Sequence, residues 1–242
     1  LTGLQVNLRK KTALIVCGTS PLGVDLIRGF TLSGAAVTAT ARASGRVALE
    51  ALETAASIVD LDLENPLSID TCVRQLTSGK KFDFVVFVCG HLFGQSLQQY
   101  DDEEIATTFA INVVSQISLL KGILGHINDR GAVLFVSSIA ATAGSYDPVY
   151  AAAKAAQVGL MKSMAKYHGH RVRFNVVAPG TISDSPMAAA FSDATLQRHI
   201  EETPTGRLNS SADLARIIVS ICGEEWSNLN GQVLAINGGR YV

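Results

Sequence analysis

Seven short runs of apolar and β-branched residues recur along the chain, at 13–17, 35–40, 57–60, 84–88, 132–137, 172–177 and 232–236. Between them lie longer stretches of helical periodicity near 22–33, 46–55, 67–78, 101–125, 148–167 and 211–222. The short runs are continuously apolar rather than alternating, which is the pattern of strands buried on both faces. Strands joined in this way by helical crossovers predict a doubly wound α/β architecture: a seven-stranded parallel sheet with helices on both faces. No repeat or linker divides residues 1–242, so they are read as a single domain. The least regular stretch, 183–208, has Pro186 and Pro204 around a predicted helix. It follows a strand's carboxyl end, where open sheets bind ligands, and is read as a substrate lid.

Composition narrows the class of partner. Hydrophobic residues make up 48% and charged residues 17%, which fits a chain able to bury a core. The net charge of −1, with only Arg9, Lys10 and Lys11 clustered, argues against nucleic acid or an acidic membrane as partner. No apolar run is read as long enough to span a bilayer, and the run at 13–17 is too short for a signal-peptide core. A cytoplasmic location is therefore expected, with the start at Leu1 fitting removal of a short leader. Cys17, Cys72, Cys89 and Cys222 lack metal or redox spacing and are expected to be reduced, buried thiols. The five histidines show no ligand pattern beyond His168-Gly169-His170, read as decorating a turn, so no metal is expected.

Three local patterns carry chemistry. The first strand runs into Cys17-Gly18-Thr19-Ser20-Pro21-Leu22-Gly23 and then a helix. A glycine-containing turn at a helix amino end offers N–H groups and a positive dipole end to a phosphate, as in dinucleotide sites. The second strand ends in Thr40-Ala41-Arg42, with Ser44 and Arg46 close behind. A cation there, without an acid, favours NADP(H) over NAD(H), because it can meet a 2′-phosphate. Tyr150 and Lys154, spaced i, i+4, share a helix face. An adjacent ammonium favours the phenolate, as proton exchange with an alcohol or ketone requires.

With these residues in place the chain resembles the short-chain dehydrogenase/reductase family from about Lys10 to Gly239, which implies a Rossmann-type fold. Tyr150 and Lys154 match its Tyr-x-x-x-Lys signature, and Asn112 in Ala110-Ile111-Asn112-Val113 matches its structural asparagine. Ser137-Ser138-Ile139-Ala140 follows the fifth strand, where the family's serine lies. The family's usual serine-to-tyrosine spacing selects Ser137, whereas the pattern Ser-Ser-x-Ala selects Ser138, the choice made here. Asp62-Leu63 resembles the adenine-contacting pair, and Pro179-Gly180-Thr181-Ile182 the segment that meets the nicotinamide carboxamide. Two motifs depart from the family. Its Thr-Gly-x-x-x-Gly-x-Gly falls on Val16, Cys17, Pro21 and Gly23, with Gly18 supplying a glycine one step late. Its Asn-Asn-Ala-Gly appears as Phe87-Val88-Cys89-Gly90.

The resemblance implies hydride transfer between a nicotinamide cofactor and a carbonyl or secondary alcohol carbon. Tyr150 would be the general acid/base and Ser138 would stabilise the substrate oxygen. Lys154 would lower the tyrosine pKa and bind ribose, and Asn112 would order a relay water. Gly18, Thr19, Ser20, Leu22, Gly23, Arg42, Asp62, Leu63, Gly90, Tyr150, Lys154, Pro179, Gly180 and Ile182 are the expected cofactor contacts. The substrate pocket is expected around Ile139, Ala140, Tyr146, His91, Phe93, Met187 and Phe191, apolar and suited to an uncharged ketone or alcohol. A homo-oligomer, tetramer or dimer, built partly from 101–125 and 148–167, is also implied. Two rivals are weighed. A serine hydrolase with Ser20 as nucleophile fails the Gly-x-Ser-x-Gly pattern at Leu22. A weakly catalytic dinucleotide-binding sensor of the same fold draws on the altered glycine and fourth-strand motifs.

Overall fold

The computed structural model describes residues 6–241 apart from positions 53 and 55. The expectation attached to Leu1, and the end of the helix expected over 46–55, lie outside the described residues.

The strands are β1 (Thr12–Val16), β2 (Ala36–Ala41), β3 (Ser57–Asp60), β4 (Phe82–Phe87), β5 (Ile127–Val136), β6 (Val172–Pro179) and β7 (Val233–Ile236). They form one sheet in the order β3-β2-β1-β4-β5-β6-β7, every pair parallel. The order reverses direction between β1 and β4, which opens a crevice at their carboxyl ends.

Period-2 alternation sends neighbouring strand residues into two separate cores. Ala13, Ile15, Phe84, Val86 and Leu134 face α1 (Pro21–Leu32) and α10 (Ser211–Ile221), meeting Leu26, Phe30, Leu214 and Ile218. Leu14, Val16, Val85, Phe87, Val133 and Phe135 face the other layer. There they meet Cys72 and Leu76 of α3 (Pro66–Thr77), Leu119 and Ile123 of α5 (Ser115–Ile123), and Met161 of α7 (Pro148–His168). Because both faces are covered, the continuous apolar strands of the sequence are what the fold needs.

Other elements sharpen or correct the sequence expectations. α2 spans Ala43–Glu50, earlier than the expected 46–55. The helix expected over 101–125 is α4 (Asp102–Phe109) running through a π-helical turn, Ala110–Val114, into α5. By length and composition this continuous segment, Asp102–His126, is long and apolar enough to cross a membrane, with mean hydropathy 1.3 over 18 of its residues. That corrects the expectation from uninterrupted apolar runs, because Thr107, Asn112, Ser115 and Gln116 break the run while its mean hydropathy stays high. Here the helix puts Leu119, Leu120 and Ile123 into the sheet core. The stretch 183–208 holds two helices rather than one, α8 (Pro186–Ala189) and α9 (Asp193–Glu201), and a short helix α6 (Ala140–Ala143) follows β5.

Phe87 and Phe135 stack across β4 and β5 with centroids 4.8 Å apart and planes 12° from parallel. Phe87→Ala should cost about 3–5 kcal/mol through lost transfer energy and the void left behind. Urea unfolding should show this as a lower midpoint at unchanged slope.

Candidate active site

The chemistry-bearing side chains gather at the carboxyl ends of β1, β4, β5 and β6. Tyr150 and Lys154 lie in the first two turns of α7, which starts where it does because Asp147 caps it and Pro148 opens it. Asp147 is buried, and its oxygens accept from the Tyr150 N–H (2.9 Å), the Gly94 N–H (2.9 Å) and the Tyr100 hydroxyl (2.7 Å). One carboxylate thus pins the tyrosine to the loop after β4. Motif matching passed over Asp147, although an Asp-Pro helix start is a readable signal.

The two serines part company. Ser137 is buried and donates its hydroxyl to the Lys154 carbonyl oxygen at 2.9 Å. Ser138 lines the open cavities beside Tyr150, within reach of its phenol, and accepts from the Ala140 N–H at 3.1 Å. The geometry therefore brings Ser138 to the tyrosine and turns Ser137 away.

Burial sets the electrostatics. It pushes the Tyr150 phenol up to about 12; the Ser138 hydroxyl opposes this and the Asp147 charge adds to it. The Lys154 ammonium is 2% exposed and donates to the carbonyls of Cys89 and Val136, each at 3.0 Å. Burial pulls it down to about 8, against the neighbouring thiols. Its Nζ lies 5.7 Å from the Tyr150 ring centroid. The expected lowering of the tyrosine by the lysine is thus absent from this arrangement, because the ammonium is drawn to strand-end carbonyls.

Asn112 is fully buried in the π-helical turn. Its amide donates to the His91 and Thr108 carbonyls, both at 2.8 Å, and accepts the His91 N–H at 3.2 Å. Both side-chain donors are spent on backbone, so Asn112 holds the β4 loop instead of presenting them to a water. A π-turn leaves carbonyls without their usual helical partners. Gln157 donates to the Asn112 carbonyl (3.0 Å) and to Gln116 Oε1 (3.1 Å), while Gln116 donates to the Ile111 carbonyl (3.3 Å). This buried glutamine pair carried no sequence signal, because it answers a helix irregularity that periodicity does not reveal.

Two connected clefts run along the strand ends. One is lined by Ser20, Leu22, Gly90, Ser138, Tyr150, Lys154, Pro179, Gly180 and Ile182. The other is lined by Cys17, Thr19, Ser20, Arg42, Asp62, Leu63 and Gly90. Gly18 and Gly23 stand behind this lining. A Cβ on Gly23 would lie 2.6 Å from the Gly18 carbonyl oxygen, so Gly23 lets α1 approach the turn. The left-handed backbone falls on Cys17 (φ 67°), not on Gly18, a conformation that a glycine would adopt without strain. Ser20 caps α1, accepting the Gly23 N–H at 3.1 Å. Arg46 is committed to Glu50 and Asp60, whereas exposed Arg42 meets only Glu64, at 3.8 Å. A long groove with Arg42 at one end, glycine backbone at its centre and Tyr150 with Lys154 at the other fits an extended dinucleotide.

A third cavity of about 390 Å³ opens on the far side of Ser138 and Tyr150. Ile139, Ala140, Tyr146, Met187 and Phe191 line it as expected, but His91 and Phe93 do not. His91 faces the groove instead, and Phe93 packs edge-on between His91 and Tyr100. The cavity also holds Arg198, His199 and Arg240, so it is not the purely apolar pocket expected. Cys17 is half-buried rather than buried.

The sequence profile described as enoyl-(acyl carrier protein) reductase matches residues 19–240. The chain belongs to the short-chain dehydrogenase/reductase family. It is 29% identical to the 3-oxoacyl-(acyl-carrier-protein) reductase of Vibrio cholerae, over 98% of this chain and 100% of the relative. The Escherichia coli K12 enzyme of the same name is 27% identical at the same coverage. A short-chain dehydrogenase/reductase from Brucella melitensis has a TM-score of 0.92 at 23% identity, covering 98% of this chain and 99% of that one. A Burkholderia cenocepacia short-chain dehydrogenase solved with NADP has a TM-score of 0.86 at 24% identity, covering 97% and 99%. These two likenesses bear on the fold. As a family member the chain is an oxidoreductase acting on CH–OH and C=O groups.

The Lys154 environment of this dehydrogenase/reductase generates a pH prediction. Unfolded, the ammonium keeps its proton up to its ordinary 10.5; in the native chain it releases it near 8. Between those values the unfolded state binds more protons, so native stability rises with pH. Wild type should therefore gain stability relative to Lys154→Met as pH climbs through this window. Urea unfolding of both proteins across it measures the difference; a constant gap would show that Lys154 titrates normally.

Proposed function

We propose that this protein is an NADP(H)-dependent oxidoreductase interconverting a carbonyl and a secondary alcohol. The observation that carries the reading is that Ser138 and Tyr150 line both the dinucleotide-shaped groove and the adjoining cavity. A carbonyl placed there meets two hydroxyls from one side and the groove from the other. The nicotinamide, when bound, supplies or accepts the hydride.

In reduction, Tyr150 protonates the oxygen as negative charge develops on it, while Ser138 donates a hydrogen bond to the same atom. A phenol held near 12 is protonated at neutral pH and so begins as the donor. Lys154, charged below about 8, supplies a donor towards the groove. Asn112 is a positioning residue: it ties the His91 backbone, and with it Gly90, to the helix. Ser20, Thr19, Leu22 and Gly90 hold the cofactor's middle, Asp62 and Leu63 its adenine end, and Pro179, Gly180 and Ile182 its carboxamide. Arg42, only loosely paired with Glu64, meets the 2′-phosphate.

The segment 183–208 acts as a lid, supported by Met187 of α8 lining both the groove and the cavity. A homo-oligomer belongs to the same reading, supported by exposed Val114 and Ile117 along one helix. So does a cytoplasmic location.

Tyr150→Phe should lower kcat for carbonyl reduction by about 10²–10⁴-fold. The assay follows NADPH oxidation over a carbonyl panel that includes 3-oxoacyl thioesters; near wild-type kcat would remove Tyr150 from this role. Tight cofactor binding with no turnover of any carbonyl would favour the sensor reading, to which Lys154 locked on two backbone carbonyls lends support.

Arg42→Ala should raise KM for NADPH about tenfold, the scale of one charge-assisted hydrogen bond, and leave KM for NADH nearly unmoved. An equal effect on both cofactors would contradict the 2′-phosphate contact.

A further inference from the structure

The cavity beyond Ser138 and Tyr150 has two kinds of wall. Near the hydroxyls it is apolar: Leu92, Ile139, Ala140, Met187 and Phe191. Another wall, formed by α9 and the segment after β7, carries Arg198, His199 and Arg240. We propose that this cavity takes a carbonyl compound bearing an anionic oxyacid group, carboxylate or phosphate, which Arg198 and Arg240 hold while Tyr150 and Ser138 engage the carbonyl. This rests on the carbonyl-reductase reading above.

Charge accounting supports it. Asp147 is the one carboxylate in the cavity lining among the described residues, and three donors already occupy its two oxygens. Arg240 pairs with Glu202, whose carboxylate is half-exposed and outside the lining. Arg198 has no carboxylate within ion-pair distance among the described residues. The wall therefore presents two guanidinium groups against one glutamate, and the Arg240 side chain is only 12% exposed. Both arginines lie close enough to His199 to hold its imidazole below the usual range, after burial as the larger cause. His199 Nδ1 lies 2.9 Å from the Thr181 hydroxyl. Its ring meets Phe191 edge-on at 5.3 Å between centroids, which fixes the wall against the apolar belt.

The plainest alternative is that these cations serve the fold. Arg198 and His199 occupy the last turn of α9, where the helix dipole favours positive charge. That accounts for Arg198 on α9. It does not account for Arg240, which comes from a different segment and answers Glu202, leaving Arg198 without a carboxylate partner at this wall among the described residues. A forked guanidinium matches a planar carboxylate or a phosphate, and both sources share that geometry.

The test compares kcat/KM for levulinate and its longer homologues with their methyl esters, and for dihydroxyacetone phosphate with dihydroxyacetone, at saturating nicotinamide cofactor. The two sets separate carboxylate from phosphate. At least one anion should be preferred over its neutral counterpart by about tenfold. The preference should shrink with added salt and approach unity in Arg198→Gln/Arg240→Gln. Equal or better use of every neutral compound overturns the proposal, as does a preference that survives the double substitution. If the double variant fails to fold, Arg198→Gln, an exposed change, must still reduce the ratio. If no carbonyl is turned over, the reductase reading fails separately, and calorimetry on cofactor-loaded protein decides the anion site. Binding of the levulinate series that weakens in Arg198→Gln sustains it, and no binding, or binding unchanged in that variant, overturns it.

Discussion

Covering both faces of a parallel sheet leaves only its ends for polar chemistry, and the whole protein is arranged around that limit. Ile15 and Val86 point to one helical layer, and Leu14 and Val85 to the other, so no strand interior is free to carry a functional side chain. Groups that react must come from the turns just beyond the strands or from helices that begin there. Cys89, Ser138 and Gly180 line the groove from the turns, and Tyr150 and Lys154 line it from the opening of α7. The reversal of strand order between β1 and β4 then separates the neighbouring crossovers and leaves a groove for them to face.

Placing an ammonium at such an edge is costly, and the chain offsets the cost with backbone. Lys154 is stripped of water and receives two carbonyls in return, from Cys89 and Val136. Those carbonyls come from the turn just after β4 and the end of β5, so the lysine also ties these two neighbouring edges together. Its partner in position is Asp147, which accepts three hydrogen bonds in the same neighbourhood. A buried cation and a buried anion thus brace the two ends of the first helical turns, with Tyr150 between them.

Much of this was legible in the residues. The continuous apolar runs marked the parallel sheet, and the i, i+4 pair with Ser138 and Asn112 marked the site, because motif residues sit at strand ends whose positions the runs define. What was not legible had physical causes. The partner of Lys154 is a backbone carbonyl, which has no sequence signature. Arg198 and Arg240 reach the cavity from segments far apart along the chain, so their shared wall arises only on folding. At Cys17 the residue type gave no sign of a left-handed turn, yet the backbone adopts one there with a thiol in place.

The π-helical turn at Ala110–Val114 has a consequence along the rest of its helix. Adding one residue to a circuit rotates everything that follows by about 100°, since an α-helix advances 3.6 residues per turn. The buried face of the helix therefore changes phase at the π-turn, from Thr108 before Asn112 to Leu119 and Ile123 after it. In a regular helix, the stripe bearing Leu119 and Ile123 would be turned off the sheet and Gln116 away from Gln157. Asn112 thus sits at a phase boundary, and the irregularity that frees its carbonyl is also what turns Leu119, Leu120 and Ile123 onto the sheet.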